Sequence, residues 1–437
     1  MKERWGKLGF ILASIGSAVG LGNIWRFPYI VGQNGGGSFI FVYLITVLIF
    51  GIPVMLLEIG TGKYFRASIL SIFKNIRERI KWLAIFPLMT GFFILGYYLV
   101  VTGWSLAYFV FYLFREFIQF DAFTASKLPW FFFTLSLISS AVVVKAGIKK
   151  GIEKFCRYTV PFLFILVIIL LTKALTLPNA LEGIKFYLKP DFIKVINPKT
   201  WIYACGQALF SLSAGYGILM TYGSYISKKE DVYKSTLLVA GADTLIALLG
   251  SLLIFSIVFS FGTNPEEGPK LAFITLPKIF DIMNYGWLFG IAFFMLLFFA
   301  AITSAISIFE LIVRNAEDEL KISRTKSTTI STIGLFIVGT LVVFNIFPLG
   351  SMDFIFGTLF ISLSAALICI IIGWFWQPQL LMRQVEKQQR LDYKNLTFRN
   401  ALDFVSDFIK YSLMIYLVKF VIPVILIVLF FAELFGI

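Results

Sequence analysis

The stretch that decides the fold is Gly16-Ser17-Ala18-Val19-Gly20-Leu21-Gly22-Asn23-Ile24-Trp25-Arg26-Phe27-Pro28, which lies inside the first long apolar segment of the chain. Three glycines, an amide, a guanidinium and a proline crowd a segment that a bilayer should keep as a regular helix. Non-helical backbone at membrane depth is tolerated only where it is buried in protein or lines a water-filled cavity. An ionisable residue at that depth usually marks a functional site. The stretch therefore predicts an ion or solute site in mid-membrane, built on an interrupted helix.

The composition predicts an integral membrane protein. Apolar residues make up 59% of the 437 residues, and charged residues only 14%, a balance typical of membrane proteins. The first apolar segment carries Arg26, lacks a small-residue cleavage site and continues into a second apolar run, so we do not interpret it as a signal peptide. The net charge of +14 is spread over short loops between apolar runs. That distribution fits membrane orientation and gives no basis for a nucleic-acid partner.

The residue types argue against an enzyme. The chain has no histidine, which excludes His-dependent zinc hydrolysis, haem attachment through histidine and a Ser-His-Asp triad. Cys156, Cys205 and Cys369 are isolated from one another and lie mostly in apolar runs. We interpret them as small core residues and not as a disulfide framework or metal site.

Apolar runs of about 18 residues or more predict eleven membrane spans. Their approximate limits are 8–31, 38–62, 84–114, 129–146, 155–175, 201–226, 235–262, 286–313, 328–346, 352–377 and 408–434. With the N-terminus inside, 27 of the 38 Lys and Arg residues fall in inner loops and 9 in outer loops, leaving Arg26 and Lys419 within spans. Cytoplasmic loops carry the excess of Lys and Arg. We therefore predict a plasma-membrane protein with a cytoplasmic N-terminus and an extracellular C-terminus.

A second interrupted segment indicates an internal repeat. Span six contains Ser211-Leu212-Ser213-Ala214-Gly215-Tyr216-Gly217, and it opens the second half as span one opens the first. Five spans per half force the second half to be inverted, and paired breaks of this kind point to a transporter site. The Gly16/Gly20 pair alone would favour simple helix packing. We predict a first repeat at 1–175, an extracellular connection at 176–200, a second repeat at 201–378, a cytoplasmic linker at 379–407 and an eleventh helix at 408–437.

Further motifs complete a family resemblance. They are Gln33-Asn34-Gly35-Gly36-Gly37-Ser38-Phe39, Gly51-Ile52-Pro53 with Glu58, Lys149-Lys150-Gly151-Ile152-Glu153-Lys154, Gly206-Gln207-Ala208-Leu209-Phe210-Ser211-Leu212-Ser213, Thr221-Tyr222-Gly223-Ser224-Tyr225, Thr303-Ser304 and Glu317-Asp318-Glu319-Leu320. Together with Ala18 to Pro28, they resemble the neurotransmitter:sodium symporter family over roughly residues 5–378. Transporters of this family are among those from which the rule of paired interrupted helices was drawn.

The resemblance implies an all-α integral membrane protein of the LeuT type, with 5+5 inverted repeats and helices 1 and 6 unwound at mid-membrane. It also implies two sodium sites. The first would use the Ala18 carbonyl, the Asn23 amide oxygen, Ser211, Asp243 and the substrate carboxylate; the second would use the carbonyls of Gly16, Val19 and Ala300 and the hydroxyls of Thr303 and Ser304. Oxygen ligands on unwound backbone suit a hard cation. By themselves, the two hydroxyls would be expected to bond back to their own helix.

The resemblance further implies a substrate pocket between the two breaks. The substrate carboxylate would bind the amides of Leu21 and Gly22 at a half-helix N-terminus and the hydroxyl of Tyr98, which alone could equally be an ordinary buried tyrosine. The full set of implied contacts is Ala18, Leu21, Gly22, Ile94, Tyr98, Phe210, Ser211, Ser213, Tyr216, Ser304 and Ile308. Members that move monoamines carry aspartate where this chain has Gly20. The glycine leaves room for a carboxylate, which favours a neutral, hydrophobic amino acid.

Two gates are implied as well. Arg26 and Asp353 resemble an outer gate pair above Tyr98 and Phe210, and Asp318 would meet a basic residue of the N-terminus at the inner gate. Lys2 is the first candidate for that basic residue and Arg4 the second. Gln207 is expected to support the outer network and Tyr225 the inner one.

Asp243 carries a separate hypothesis about chloride. The family often has asparagine there, and chloride-dependent members add a serine one turn later, where this chain has Ala247. A fixed carboxylate near the first sodium site could replace the charge of the anion. We therefore predict transport that does not require chloride, with proton coupling through Asp243 or a purely structural acid as the open alternatives.

These expectations combine into a sodium-coupled symporter that imports an amino acid by alternating access. A transport-silent, sodium-dependent amino-acid receptor is the alternative, and an ion channel is less favoured because both ends carry gates. The family prototype has twelve helices and this chain is expected to have eleven. The missing helix lies outside the ten-helix core, which leaves transport intact as an expectation and a homodimer open.

Overall fold

The computed structural model describes residues 4–6, 8–227, 230–263, 271–376 and 413–435, and the regular secondary structure within these ranges is helical. We label the crossings α1 (Gly9–Gln33), α2 (Gly37–Phe65), α3 (Glu78–Phe114), α4 (Leu128–Lys145), α5 (Ile148–Ala174), α6 (Pro198–Ser211 and Ile218–Gly223), α7 (Val232–Ser260), α8 (Gly286–Leu320), α9 (Arg324–Val343), α10 (Leu349–Phe375) and α11 (Leu413–Phe435). Within the described ranges, ten of them are long and apolar enough to span a bilayer. The other is α6, because it is broken into two short helices. The predicted all-α membrane fold is therefore confirmed.

Most predicted limits lie within four residues of the observed ones, but α3 begins six residues earlier than predicted, α5 begins seven earlier and α8 ends seven later. We expected α8 to end near residue 313, where charged residues begin, but the helix continues to Leu320. Its charges are paired within the protein. Arg324 contacts Glu310 and lies 3.4 Å from Glu317, and Arg314 lies 3.1 Å from Asp318. The predicted linker at 379–407 lies outside the described residues.

The spans form a central group and a periphery. In the most apolar window of each helix, 89% of α1 is buried inside the protein but only 28% of α11. Helix α1 contacts α5, α7 and α8, so lipid does not surround its irregular part. Protein burial of this kind is the condition under which non-helical backbone is tolerated at membrane depth.

The two interrupted helices are broken at matching places. The first half of α1 ends at Ala18, and after Val19 and Gly20 the chain resumes with a wide π-helical turn at Gly22–Arg26. In α6 the break runs from 212 to 217, where Gly215 and Gly217 have φ angles of 95° and 89°. Those left-handed conformations cost glycine little. The Ser213 hydroxyl donates to the Ser17 carbonyl at 2.9 Å, which joins the two breaks directly.

Candidate functional site

A buried carboxylate on α2 holds the break in α6 open. Glu58 is fully buried, and its Oε1 accepts a hydrogen bond from the Gly215 amide at 2.7 Å. The second half of α6 begins at Ile218 with amides that have no partner inside the helix. Negative charge at such an N-terminus is favourable. The sequence motif contained Glu58, and the structure now gives it this supporting position.

The first cluster of oxygen atoms lies where α1, α6 and α7 meet. Asp243 Oδ1 accepts from Asn23 Nδ2 at 2.7 Å, and Asp243 Oδ2 accepts from the Ser211 hydroxyl at 2.9 Å. Asn23 Nδ2 also lies 3.1 Å from the Ser211 hydroxyl, while Asn23 Oδ1 accepts from the Gly20 amide at 2.9 Å. All three side chains are buried, and Ala18 ends the adjoining half-helix. A half-turn of the Asn23 amide would place its oxygen beside the carboxylate and the hydroxyl.

The second cluster lies where α1 meets α8. The Ser304 hydroxyl is within 3.3 Å of the Gly16 carbonyl, 2.8 Å of the Ser17 carbonyl and 3.5 Å of the Val19 carbonyl. One residue earlier, the Thr303 hydroxyl donates to the Ala300 carbonyl at 2.9 Å. The five residues expected for a second sodium site are thus close together. The arrangement offers several neutral oxygens, the ligand type preferred by hard cations.

The residues expected to contact the substrate lie on α1, α3, α6 and α8. The Leu21 amide donates to the Tyr98 hydroxyl at 2.9 Å, so the two groups expected to share a carboxylate are within reach of each other. A Cβ on Gly20 would run into Tyr98 and Ser304, and a Cβ on Gly22 would lie 3.1 Å from Phe210. Position 20 therefore faces Tyr98 and Ser304 directly, and a residue with a side chain would collide with them.

The other residues expected to contact the substrate are mostly apolar. Ile94, Phe210, Tyr216 and Ile308 are each at least nine-tenths buried. Tyr216 and Ile308 approach the same point of α3, because a Cβ on Gly91 would lie 3.9 and 3.7 Å from them. Ser213, which bonds to Ser17 across the breaks, supplies a hydroxyl on the α6 side. Apolar side chains and the polar backbone of the breaks thus lie side by side.

At the outer end, the two gate residues have other partners. Arg26 donates to Gln207 Oε1 at 3.0 Å and to the Thr358 hydroxyl at 3.4 Å, and its guanidinium lies 4.7 Å from the Phe210 ring centre. Asp353 Oδ1 accepts from the Tyr97 hydroxyl at 2.9 Å. Among the described residues, Arg26 and Asp353 form no ion pair within 4.0 Å. Gln207 also donates to the Gly22 carbonyl at 2.8 Å, which ties the arginine's partner to α1.

The inner end is joined by a denser network. Asp318 accepts from the Ser68 amide at 3.0 Å, and Tyr225 donates to Glu310 at 2.7 Å. The N-terminal segment docks on this network, where the Trp5 indole donates to the Tyr222 carbonyl at 3.0 Å and its ring lies against Tyr222 and Tyr225. Lys2, the first candidate partner of Asp318, lies outside the described residues.

Two functional positions were missed by sequence reasoning. Ser17 contributes only its backbone carbonyl, which accepts from both Ser213 and Ser304. Every residue type has this group, so the sequence does not reveal the role. Glu433 was treated as part of an apolar span. Its Oε1 lies 3.9 Å from the Cβ position of Gly206, and the next residue of α6, Gln207, is the partner of Arg26. An acid in a lipid-spanning helix is unusual enough that Glu433 could have been found.

Comparisons with known proteins agree with this geometry. The model of the sodium:neurotransmitter symporter family matches residues 2–131 and 121–436. An uncharacterized sodium-dependent transporter of Haemophilus influenzae is 31% identical over 469 residues, covering 99% of this chain and 98% of that protein. One from Methanocaldococcus jannaschii is 35% identical over 426 residues, covering 88% and 84%.

A eukaryotic relative and a solved structure extend the comparison. The sodium-dependent serotonin transporter of Drosophila melanogaster is 30% identical over 375 residues, covering 73% of this chain and 60% of that protein. The crystal structure of MhsT in complex with L-phenylalanine is 33% identical and aligns with a TM-score of 0.86, covering 99% of this chain and 100% of that one. The family resemblance predicted from the motifs is confirmed. This chain belongs to the sodium:neurotransmitter symporter family and is a multi-pass, sodium-dependent membrane transporter, not an enzyme.

Proposed function

We propose that this protein couples the inward movement of sodium to the import of a neutral, hydrophobic amino acid by alternating access. One observation carries the proposal. Two broken helices meet through the Ser17 carbonyl, beside two oxygen clusters and the buried apolar side chains of Ile94, Phe210 and Ile308. The charged end of a zwitterion would lie on the polar backbone of the breaks and its apolar side chain on those residues.

The two clusters are the proposed sodium sites. At the first, Asn23, Ser211 and Asp243 would act with the Ala18 carbonyl and the substrate carboxylate. At the second, the Gly16, Val19 and Ala300 carbonyls would act with the hydroxyls of Thr303 and Ser304. Their mutual hydrogen bonds support the assignment, because oxygens already held within 3.5 Å of one another need little movement to surround one cation.

The substrate carboxylate is proposed to lie between Gly20 and Tyr98. The bond between the Leu21 amide and the Tyr98 hydroxyl joins two groups that can both donate to a carboxylate, and the hydroxyl can rotate to do so. The amine would meet carbonyls near Ala18 and the α6 break. MhsT, which has L-phenylalanine bound in its crystal structure, is the relative that makes an apolar amino acid the preferred class.

Uptake into proteoliposomes tests this proposal. All twenty amino acids would compete with a labelled apolar amino acid at varied sodium concentrations. We expect concentrative uptake that needs sodium and is inhibited most strongly by neutral, apolar amino acids. Uptake without a sodium requirement, or inhibition only by charged amino acids or monoamines, would overturn the assignment.

We propose that chloride is not required. Asp243 places a negative charge in the first cluster, bonded to Asn23 and Ser211, and Ala247 offers no hydroxyl for an anion one turn later. Equal uptake in chloride and gluconate is the expected outcome. A strict chloride requirement would show that Asp243 has only a structural role.

Alternating access would use the two end networks as gates. The outer gate is assigned to Arg26, Gln207 and Asp353, and the inner one to Asp318, Tyr225 and a basic residue near the N-terminus. The proposed repeats at 1–175 and 201–378 would move relative to each other around the two breaks, with the N-terminus in the cytoplasm and the C-terminus outside. A plasma-membrane location follows from importing a solute.

A transport-silent receptor would share this site, so binding data alone do not separate the two functions. The discriminating quantity is accumulation. A receptor binds substrate with sodium but leaves the internal concentration unchanged in sealed proteoliposomes. The gate residues at both ends of one pocket favour the transporter.

A further inference from the structure

A groove opens on the surface of the helix group, away from the central pocket. It has a volume of about 650 Å³ and is formed by the end of α4, the first three turns of α5 and one side chain of α8. Its lining residues are Val142, Val143, Ala146, Lys150, Gly151, Lys154, Phe155, Tyr158, Thr159, Phe162 and Phe299.

Most of the groove has the chemistry of an acyl-chain site. Val142 and Tyr158 are 62% and 69% exposed, so the groove faces outward where these helices meet lipid. At its far end, the rings of Phe162 and Phe299 are 5.8 Å apart in an edge-to-face arrangement. An apolar groove of this kind between membrane helices is filled by something equally apolar, because water there would have few polar partners.

One end of the groove is positively charged. Lys150 and Lys154 line it and are exposed, whereas none of the described residues that line the groove is acidic. The nearby acid, Glu153, is engaged elsewhere. Its carboxylate accepts from the Gly6 amide at 2.9 Å and from Arg157 at 2.7 Å. The positive charges of Lys150 and Lys154 are therefore available to bind an anionic group from outside the protein.

We propose that this groove binds an anionic phospholipid of the surrounding membrane. The headgroup phosphate lies at Lys150 and Lys154, and one acyl chain runs along the groove toward Phe162 and Phe299. The position of the lysines favours a lipid, since they stand where α4 has ended and α5 begins, at the boundary between headgroups and acyl chains. Basic pockets between membrane helices on the cytoplasmic side are a known way of binding anionic headgroups.

The site has a structural connection to transport. The opposite face of α5 packs on the second oxygen cluster, where a Cβ on Gly16 would lie 3.1 Å from Cys156 and 3.2 Å from Val160. A lipid in the groove and the proposed second sodium site are thus separated by the thickness of one helix. The binding test below does not depend on transport, so its failure would leave the proposed function untouched.

The experiment measures lipid binding to the purified full chain by native mass spectrometry. The probes are phosphatidylglycerol and phosphatidylethanolamine with identical acyl chains. A nearby Lys or Arg contributes about 1 kcal/mol to binding an anionic surface, so two contribute about 2 kcal/mol, or roughly 30-fold in affinity. We expect Lys150→Gln/Lys154→Gln to lose roughly that much affinity for phosphatidylglycerol and little for phosphatidylethanolamine.

A matched control separates this site from general surface charge. Lys321 and Lys326 are also exposed and belong to an inner loop of the proposed topology. Lys321→Gln/Lys326→Gln is expected to keep binding within threefold of the wild type. An equal loss in both double variants, or no preference of the wild type for phosphatidylglycerol, would overturn the proposal.

A second pair of variants tests the groove with all its charges in place. Val142→Trp should fill the apolar part and release the lipid, whereas Val424→Trp on α11, at a valine of similar exposure (60% against 62%), should not. Retention of the lipid by Val142→Trp would also refute the site. Thermal melting and sodium-dependent substrate binding check that each variant is folded.

Discussion

We propose that the Asn23 side chain supplies its oxygen to a cation at the proposed first sodium site. Its nitrogen donates to Asp243 and Ser211 while its oxygen accepts from the Gly20 amide. A cation between these groups would repel the amide nitrogen and attract the oxygen, so the amide would rotate. The carboxylate of Asp243 would then contact the cation in place of the amide nitrogen of Asn23.

The Asn23→Ala variant tests this role. Removing the amide takes one oxygen ligand from the proposed first sodium site and leaves Asp243 with fewer donors. A hydrogen bond to a charged group is worth about 1.5–3 kcal/mol, so we expect sodium-dependent substrate binding to weaken roughly 10- to 100-fold. Sodium titrations of labelled substrate binding measure it. Asn34→Ala is the control, since that amide only bonds back to the Ile30 carbonyl at 2.9 Å. Unchanged sodium dependence in Asn23→Ala would count against the first site.

Gly20 is expected to determine the class of substrate. An aspartate there would place a second carboxylate beside that of an amino acid. Two like charges about 4 Å apart repel by about 4 kcal/mol in a partly screened site, which is about three decades of affinity. We expect Gly20→Asp to abolish measurable amino-acid binding, while Gly20→Asn, of nearly the same size, loses less. The ratio between these two variants in a binding assay isolates the charge. Equal losses would mean that bulk alone closes the site, as the contacts with Tyr98 and Ser304 would then imply.

Most side chains of the candidate site could be named from sequence, because motifs fix residue type. The backbone contributions could not. Ser17 accepts two hydrogen bonds through its carbonyl, and any residue type would offer the same atom. The hydrogen-bond partners of Arg26 could not be predicted from sequence either, because only the packing of α6 and α10 brings Gln207 and Thr358 to it.

At the scale of helices, the positions of the breaks were readable and the ends of helices were not. Glycines at 215 and 217 with positive φ allow the α6 break, and a glycine-rich pattern is visible in sequence. The end of α8 was placed seven residues too early because charge was taken to mark the membrane edge. Arg314 and Glu310 are buried and their charges are paired inside the protein, which hydropathy cannot reveal.

Helix α11 makes a contribution that its apolar sequence conceals. Glu433 lies against α6 at Gly206, next to Gln207, which accepts a hydrogen bond from Arg26. Among the described residues, neither Arg26 Nε nor Glu433 Oε2 has a hydrogen-bond partner, although both atoms are buried. Two carboxylates therefore lie near Arg26: Asp353 on α10 and Glu433 on α11.

Neutralising Glu433 should therefore favour the outer gate pair. We propose that Glu433 competes with Asp353 for Arg26, so in Glu433→Gln we expect the gate to close more often and bound substrate to leave several-fold more slowly. Asp353→Asn should release it faster. Dissociation of labelled substrate from the solubilised protein measures both rates. Glu182→Gln removes an exposed acid that pairs with Lys185 at 2.9 Å and should leave the rate unchanged. Release from Glu433→Gln at the wild-type rate would show that α11 plays no part in gating.

Within the described residues, ten of the eleven spans predicted from hydropathy correspond to helices long and apolar enough to cross, because about 18 apolar residues are required to span the bilayer. The broken α6 is the instructive case. Its sequence is apolar enough to be predicted as a span, yet neither of its helices is long enough to cross. What sequence could not give is which crossings are central. The burial of α1 and the exposure of α11 arise from contacts between distant segments.

The proposed stoichiometry gives the transporter an electrical signature. Two sodium ions moving with a zwitterion carry two charges, and each is worth about 2.3 kcal/mol per 100 mV. The sum of about 4.6 kcal/mol corresponds to more than three decades of concentration at 1.4 kcal/mol each. In proteoliposomes with equal sodium on both sides, a potassium diffusion potential set by valinomycin, negative inside, should therefore drive accumulation by itself. The same potential without sodium is the control and should drive none. If the potential had no effect on accumulation, the movement of two uncompensated sodium ions would be refuted. If no gradient produced accumulation, the protein would be better described as a sodium-dependent receptor.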